Sequence, residues 1–563
     1  MASVGFRTAA VRAARSTALA AVVAAEVGAA ALDVGEAGML EEPPPHTAAA
    51  DEPGADGPGP TPTRPEPRWF VGVAPRSAPP FERAAPGSTP GWPTEERAPE
   101  PPSPWQVAQF QLPPPEPDQR DRPPRPITQQ LTYQYSYGSE SAVVARRNVD
   151  LNNAVRDNLL LLVPQVNGLF VYRPTNWLLF TVEAFAEVEY PAKQPESILL
   201  PSGQVQSDQP TKKSLQLDQG FVTVRGITAP FEFNLGRRNY EDERHWLYDT
   251  PLDIGSVTFR QGPLRVEAFA GREVYKNVNI WPNQFQVKDR INTSLLYVDY
   301  RGIEDHRLAA YTIRRKDLSR QAGQPRLSGV RAMGRPTDNF NYWGELAYLG
   351  GRDADSKPFS GTGYDVGFTY RFTGLPLNPN FTVGYAYGSG DDNPNDGKNH
   401  TFHQTGLESN ESRFAGISKF KYYGEALDPQ LSNLKILTLG IGAYPASTVS
   451  VDLVYHKYKL AKIAEELPNS AITAQMNQID LLIPSPDPDA DPILIPVRSK
   501  DVGQGLDLIV GIRQLFGVRR LGLDLRLGWF FPGQAFRRND GTEENPILRN
   551  ADKSISFIAK FWW

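Results

Sequence analysis

The chain has 563 residues, of which 40% are hydrophobic and 10% aromatic, and its formal net charge is −5. It contains no cysteine, which excludes disulfides, thiolate nucleophiles and cysteine-ligated metals. No uncharged apolar run approaches the roughly 18 residues that a membrane-spanning helix requires. Basic and acidic residues balance from Thr128 onward, so the basic excess of a nucleic-acid-binding protein is missing as well.

In the first 31 residues, the residue types follow one another as they do in a secretory signal peptide. Three arginines precede a small apolar stretch, Ala18–Ala25, and small residues follow at Gly28–Ala31. Glu26 interrupts the apolar stretch, and the alternatives are a disordered alanine-rich leader or a start codon placed too far upstream. We expect residues 1–31 to form the signal peptide of an exported protein.

A proline-rich segment follows. Half of the chain's 52 prolines lie between Pro43 and Pro126. Proline fixes φ and removes a hydrogen-bond donor, so such a stretch is extended and does not pack. We predict a disordered linker or arm over residues 32–127.

From residue 128 the pattern changes to strands with one apolar face and one polar face. Over Leu506–Arg513, for example, every second residue from Leu506 is apolar, whereas Asp507 and Arg513 lie on the other face. The same alternation occurs over Trp177–Glu189, Leu264–Gly271, Val449–His456, Leu521–Gly528 and Lys553–Trp563. No convincing helical pattern appears in this part of the chain.

The C-terminal strand indicates that these alternating strands belong to a membrane barrel. Phe561, Ala559, Phe557 and Ile555 form one apolar face, and two tryptophans end the chain, as suits the aromatic girdle of a membrane barrel. A soluble β-sandwich would explain any one strand. Many such strands together favour a barrel that has lipid on its outside and a polar lumen. At roughly 24 residues per strand and connection, residues 128–563 hold about 18 strands. The predicted fold is all-β, a large antiparallel transmembrane β-barrel that the last strand closes against the first.

Long polar insertions interrupt the strands and could cap or gate a pore: Pro191–Lys213, Gly388–His403 and Leu460–Ser499. Within the second, Asp391, Asp392 and Asp396 have the oxygen density of a Ca²⁺ loop but lack EF-hand spacing and a closing glutamate. A polar turn is the alternative, and we expect no cofactor. With six histidines and no recognisable Ser/His arrangement, we do not expect an enzyme.

Several segments resemble the alginate export family, outer-membrane barrels that pass a polyuronate to the cell exterior. They follow the family's order over about residues 213–563: Leu235–Arg238, Asp242–Arg244, Trp246–Thr250, Phe402–Asn410, Gly424–Leu427, Leu431–Leu434, Leu453–Lys457, Asp501–Leu508 and Phe531–Phe536. The resemblance implies an 18-stranded porin-like barrel with a cationic constriction, located in the outer membrane of a Gram-negative bacterium.

The resemblance also implies a set of charged residues that line the pore and bind the polymer: Arg237, Arg238, Arg244, Asp242, Glu243, Asp249, Arg413, Lys419, Lys421 and Arg526. Arginine binds carboxylates bidentately and stays charged, while interspersed acids keep the polymer from binding too tightly to move. Asn239 and Glu411 stand where the family has arginine. The alternative role for the arginines is to brace the wall through salt bridges with Asp242, Glu243 and Glu411.

These observations predict a channel that exports an anionic exopolysaccharide, alginate or a similar polyuronate, by passive diffusion. The expected partners are the polysaccharide, outer-membrane lipid, a periplasmic polymer-export complex that supplies direction, and the barrel-assembly machinery. A porin for small anionic solutes and a non-conducting structural barrel are the alternatives.

Overall fold

The computed structural model describes residues 132–563 except for short gaps at 154–157, 194–197, 200–204, 207–210, 227–229, 273–274, 282–283, 288–290, 319–322, 394, 484, 486–491 and 543–544. The predicted signal peptide and proline-rich arm lie outside the described residues. No helix among those described is long and apolar enough to cross a membrane.

Eighteen antiparallel strands form a closed barrel. Their bounds are β1 (Thr132–Gly138 and Glu140–Arg147), β2 (Leu159–Val163 and Gln165–Arg173), β3 (Leu178–Lys193), β4 (Lys212–Arg225), β5 (Phe231–Glu241), β6 (Asp249–Gln261), β7 (Leu264–Arg272), β8 (Ile291–Tyr300), β9 (His306–Asp317), β10 (Gln324–Thr337), β11 (Phe340–Arg352), β12 (Gly361–Arg371), β13 (Asn380–Gly388), β14 (Leu434–Ala446), β15 (Val449–Leu460), β16 (Asp501–Arg513), β17 (Gly522–Pro532) and β18 (Ser554–Trp562). The predicted fold class is confirmed.

The loops add short two-stranded pairs: Ile198–Leu199 with Val205–Gln206, Glu411–Ser412 with Phe420–Lys421, Ile479–Ile483 with Ile493–Val497, and Arg538–Asn539 with Leu548–Arg549. A further hairpin, Tyr275–Trp281 with Gln284–Val287, belongs to the barrel sheet itself. Two single 3-10 turns, Leu515–Gly517 and Gln534–Phe536, complete the described secondary structure.

The last strand closes the barrel against the first. β18 pairs with the second segment of β1, and Ala559 lies opposite Val143. The apolar face predicted for β18 points away from the lumen and packs with leucines of the neighbouring strands. The two terminal tryptophans separate: the Arg513 guanidinium lies 4.1 Å from the Trp562 ring centroid on the inner side, whereas Trp563 meets Tyr137 edge-on.

The two ends of the barrel differ in the length of their connections. At one end β6 turns into β7 through Gly262 and Pro263, and Gly262 adopts a left-handed φ of 55° that such a tight turn requires. At the other end, residues 389–433 connect β13 to β14 and residues 461–500 connect β15 to β16. Outer-membrane barrels keep short turns on the periplasmic side and long loops outside, which orients the chain.

Side chains alternate between lumen and lipid along each strand. On β14, Ile436 and Thr438 are buried on the inside, whereas Leu439 and Ile441 are exposed on the outside. The outward positions near the short turns carry clustered aromatic rings, as in the pairs Tyr172–Phe180, Phe231–Phe259, Phe340–Phe368 and Phe372–Phe381. Rings at this level form the girdle expected where lipid headgroups begin.

Candidate functional site

A β-hairpin of the wall bends into the lumen. β5 pairs with β4 only as far as Arg237, and β6 pairs with β7 only from Ile254 onward. Beyond these points the start of β4 pairs instead with Tyr275–Trp281, which continues the wall. The residues between them, Arg237–Asp253, are termed the lumen hairpin, and their tip is buried, with Trp246 only 1% exposed.

Gly236 permits this departure from the wall. Its φ is +127°, a conformation that L-residues rarely adopt, and a Cβ there would lie 2.3 Å from the Gly220 carbonyl oxygen. Any side chain would therefore collide with β4 at the bend. The glycine of the family-like Gly236-Arg237-Arg238 segment is thus needed for the hairpin's path.

A second segment fills the lumen from the loop end. Residues 389–433, termed the lumen loop, descend through the barrel to the short-turn end. There the Ile417 amide donates to Ser450 Oγ (2.8 Å) and Arg513 donates to the Ile417 carbonyl (3.1 Å). Because Ser450 and Arg513 lie where β15 begins and β16 ends, the loop spans the full height of the lumen.

Inward-facing glycines make room for the lumen loop. A Cβ on Gly363 would lie 2.4 Å from the Phe402 ring, and one on Gly528 would lie 2.9 Å from the Ala426 amide nitrogen. Both glycines stand at polar-face positions of their strands, where another residue would reach into the lumen. The wall is therefore shaped to hold this segment closely.

The lumen hairpin and the lumen loop bind each other. The Asp249 amide donates to the Leu407 carbonyl (2.7 Å), and the Asn410 amide donates to the His245 carbonyl (3.0 Å). Trp246 donates from its indole nitrogen to the Tyr423 hydroxyl at 3.0 Å. Their apolar residues join one buried cluster with the inner wall, so the two segments form one packed unit inside the barrel.

The hairpin arginines predicted for the pore are held by specific partners. Arg237 pairs across the hairpin with Asp253 at 3.2 Å. The Arg238 guanidinium lies 5.3 Å from the Phe221 ring centroid, a cation–π distance. Arg244, at the tip, crosses the lumen to Asp365 of β12 at 2.9 Å and stacks on Trp343.

The hairpin acids pair with wall arginines that are distant in sequence. Asp242 binds Arg331 of β10 at 2.7 Å, and Glu243 binds Arg307 of β9. Burial acts to raise the pKa of Asp242, but Arg331, His245 and backbone N–H donors outweigh burial and lower that pKa. Both acids are therefore braced by arginines of the wall strands β9 and β10.

Four predicted residues belong to the lumen loop or face it. Arg413 and Lys419 are half-buried. Lys421 donates to the Ser409 carbonyl (2.8 Å) and pairs with Asp428 at 3.3 Å. Arg526 of β17 is 1% exposed and binds Glu411 at 3.0 Å.

Sequence reasoning missed the inner-wall arginines that complete these networks. Arg331 bridges Asp242 and Glu345, and Arg307 bridges Glu243 and Asp299. Period-two alternation alone would have placed both on an inward face, since Arg307 and Arg331 alternate with lipid-facing Leu308 and Val330. It could not have shown which acids they meet.

The candidate Ca²⁺ loop has its carboxylates bound to separate groups. Asp392 pairs with Lys462, Asp396 contacts His400 at 3.0 Å, and Asp391 accepts backbone N–H groups. The hydrogen bond from Lys462 lowers the pKa of Asp392. Ca²⁺ binding at this loop stays a prediction.

The fold and the packed lumen define a porin-like outer-membrane β-barrel whose channel is occupied by two of its own segments. The family model described as Alginate export matches residues 125–548, and the chain belongs to that family. This confirms the family resemblance, and the family together with the lipid-facing apolar belt locates the chain in the outer membrane.

Two curated relatives are each named Alginate production protein AlgE. The one from Azotobacter vinelandii is 31% identical over 174 residues, 28% of this chain and 33% of that protein. The one from Pseudomonas aeruginosa is 32% identical over 208 residues, 33% of this chain and 38% of that protein. The matched regions thus span little more than a third of these relatives.

Two of the solved structures that align with this chain do so at low sequence identity. Acinetobacter baumannii OccAB2 aligns with a TM-score of 0.46 at 12% identity, covering 77% of this chain and 98% of that chain. Pseudomonas aeruginosa OprD aligns with a TM-score of 0.43 at 8% identity, covering 78% and 98%.

Proposed function

We propose that this barrel exports an anionic polysaccharide, alginate or a similar polyuronate, by passive diffusion along cationic groups of the lumen. The observation that carries the proposal is the lumen loop, which places Arg413, Lys419 and Lys421 inside the barrel at half-buried positions. Family membership and the AlgE names of the curated relatives support the substrate class. Transport, and not catalysis, is the activity we assign.

The ion-pair networks suit a polymer that must bind and then move on. Each uronate carries one carboxylate, which an arginine fork can bind in a bidentate manner. Because Arg237, Arg244 and Arg526 already have carboxylate partners, the polymer would exchange with those carboxylates and would not meet unopposed cations. Because each uronate must displace a carboxylate of the protein, its net binding to the arginine is weak, as conduction requires.

Direction would come from outside the barrel. A passive channel only equalises the concentration of polymer, so we propose that a periplasmic export complex feeds the chain and that the barrel-assembly machinery inserts the protein. The long loops at the external end and the short turns at the periplasmic end fit entry of polymer from the short-turn side.

Planar-bilayer recordings on the full-length protein test the proposal. We expect an anion-selective current that polymannuronate or polyguluronate blocks at far lower uronate concentration than the monomeric uronic acids do. Current blocked equally by monomers would favour the small-solute porin, and no current would favour the non-conducting barrel.

Charge reversal on the lumen loop is the sharper test. Arg413→Glu combined with Lys419→Glu should shift the reversal potential toward cations and weaken polymer block by about tenfold or more, since each reversal replaces attraction with repulsion. Lys398→Glu, an exposed position elsewhere in residues 389–433, is the matched control and should behave like the unsubstituted protein. Unchanged selectivity in the double variant would remove these residues from the conduction path.

A further inference from the structure

Three potential metal ligands converge at the end of the lumen hairpin. Glu241 ends β5, Asp249 begins β6, and His245 lies midway between them in the turn. One ligand atom from each lies within 4.8 Å of the other two. We propose that these residues bind a divalent transition-metal ion, a role that goes beyond the proposed export.

The backbone is arranged to bring these side chains together. Glu241 and Asp249 are directly paired across the hairpin, so their carboxylates share one end of the ladder. His245 adopts a left-handed φ of 51°, which a histidine seldom takes. This conformation directs its imidazole back to both carboxylates: Nδ1 lies 2.7 Å from Asp249 and Nε2 lies 3.5 Å from Glu241.

A fourth oxygen comes from the lumen loop. Ser409 Oγ lies 3.1 Å from His245 Nδ1 and 2.6 Å from Asp249. The Ser409 amide also donates to the His245 carbonyl at 3.2 Å, which holds the serine beside the histidine. The donor set is therefore one imidazole nitrogen, two carboxylate oxygens and one hydroxyl.

Burial and charge favour a cation at this position. The side chains of His245 and Asp249 are each 2% exposed, whereas Glu241 is 17% exposed and offers the path of entry. Carboxylates buried together repel one another, and a divalent ion offsets that repulsion more completely than a singly charged imidazolium does.

The donor chemistry points to Zn²⁺, with Mn²⁺ as the nearest competitor. Imidazole and carboxylate together suit these ions at about 2.0–2.2 Å, whereas Ca²⁺ takes oxygen ligands only. Because the ligands come from the hairpin and Ser409 comes from the loop, the ion would join the two segments that fill the lumen. Its removal should loosen both.

Metal binding by the full-length protein in detergent tests the site. After treatment with a chelator, the protein should bind one equivalent of Zn²⁺ by isothermal titration calorimetry and gain thermal stability as it does so. His245→Gln should weaken the affinity by about tenfold or more, because it removes the only nitrogen ligand. Glu241→Gln, at the partly exposed ligand, gives a second reading if His245→Gln folds poorly.

The matched control is His400→Gln. His400 also contacts an aspartate four residues away, Asp396, but among the described residues it belongs to no group of three potential ligands. It should bind Zn²⁺ like the unsubstituted protein. Co²⁺ substitution should give a visible d–d absorption band that His245→Gln loses and His400→Gln keeps.

The competing arrangement is a protonated His245 that simply bridges the two carboxylates. In that case, His245→Gln lowers thermal stability, while added Zn²⁺ leaves both proteins unchanged. That result, or Zn²⁺ binding of equal affinity in the His245→Gln, Glu241→Gln and unsubstituted proteins, would overturn the proposal.

Discussion

Arg526 shows how one side chain determines whether the lumen loop can stay in place. Its guanidinium is 1% exposed and lies 3.0 Å from Glu411 and 3.5 Å from Glu425. Burial raises the pKa of Glu425, and Arg526 opposes that rise. Among the described residues, Nε and Nη2 of Arg526 have no hydrogen-bond partner, so Nη1 makes the contacts with both carboxylates.

Arg526→Met should therefore destabilise the docked loop by about 3–5 kcal/mol, because it removes the buried cation that both carboxylates contact. Limited proteolysis within residues 389–433 and thermal unfolding in detergent measure this loss. Adding Glu411→Gln and Glu425→Gln should restore most of the protection, since no uncompensated charge remains. If the triple variant is as sensitive to protease as Arg526→Met, packing and not charge holds the loop.

At the scale of single residues, the sequence predicted on which face of a strand a charged residue lies, but not which residue it contacts. Glu411 stands where the family has arginine. In the structure, Arg526 of the wall supplies the positive charge that pairs with Glu411. Alternation placed Arg526 on the polar face of its strand, because Leu525 and Leu527 flank it. Its partner lies 115 residues away, and such a contact depends on tertiary folding that local patterns do not encode.

The lumen loop is the element that distinguishes this barrel from a simple open tube. Its packing depends on inward glycines, and at Gly528 one of the nearest neighbours is loop backbone. A Cβ there would lie 2.9 Å from the Ala426 amide nitrogen and 2.8 Å from Glu425 Cβ. The main chain of the loop cannot move aside as easily as the end of a flexible side chain can.

Gly528→Val should displace the loop at a cost of about 1–3 kcal/mol, the usual penalty for overpacking. The barrel should still form, while ionic conductance rises and the loop becomes sensitive to protease. Gly168→Val is the matched control, because that strand glycine faces outward and a Cβ on it would have nothing within 4 Å. Loop protection that survives Gly528→Val would show that the wall does not fix the loop.

Element prediction from sequence succeeded for the wall and failed for the lumen loop. Strands such as Val449–Leu460 and Asp501–Arg513 appear where period-two alternation predicts them. The insertion expected at Gly388–His403 instead continues to residue 433. Beyond Phe402 the loop is aromatic, with Phe420, Tyr422 and Tyr423 buried, and it has no strand period because it packs on all sides.

At the scale of the whole molecule, the barrel encloses a packed core where a channel is expected. Trp246, Phe402 and Tyr422 are each at most 2% exposed, and they belong to one cluster with the inner wall. A polymer cannot pass through close-packed side chains. The proposed export therefore requires the lumen loop, the lumen hairpin or both to move during transit of the polymer.

A reversible cross-link can test that requirement, because the chain has no native cysteine. A Cβ on Gly511 of β16 would lie 3.0 Å from Ile417 Cβ in the lumen loop, close enough to form a disulfide after a small relaxation. Oxidised Gly511→Cys/Ile417→Cys should stop the passage of polyuronate across proteoliposomes, and a reducing agent should restore it. The reduced double variant sets the baseline, because a Cβ on Gly511 would also lie 2.5 Å from Ser418 Oγ. Each single-cysteine variant should transport at the same rate with and without the oxidant. Polymer that crosses the oxidised double variant at the normal rate would show that this contact stays closed during export, which would leave the lumen hairpin as the moving part.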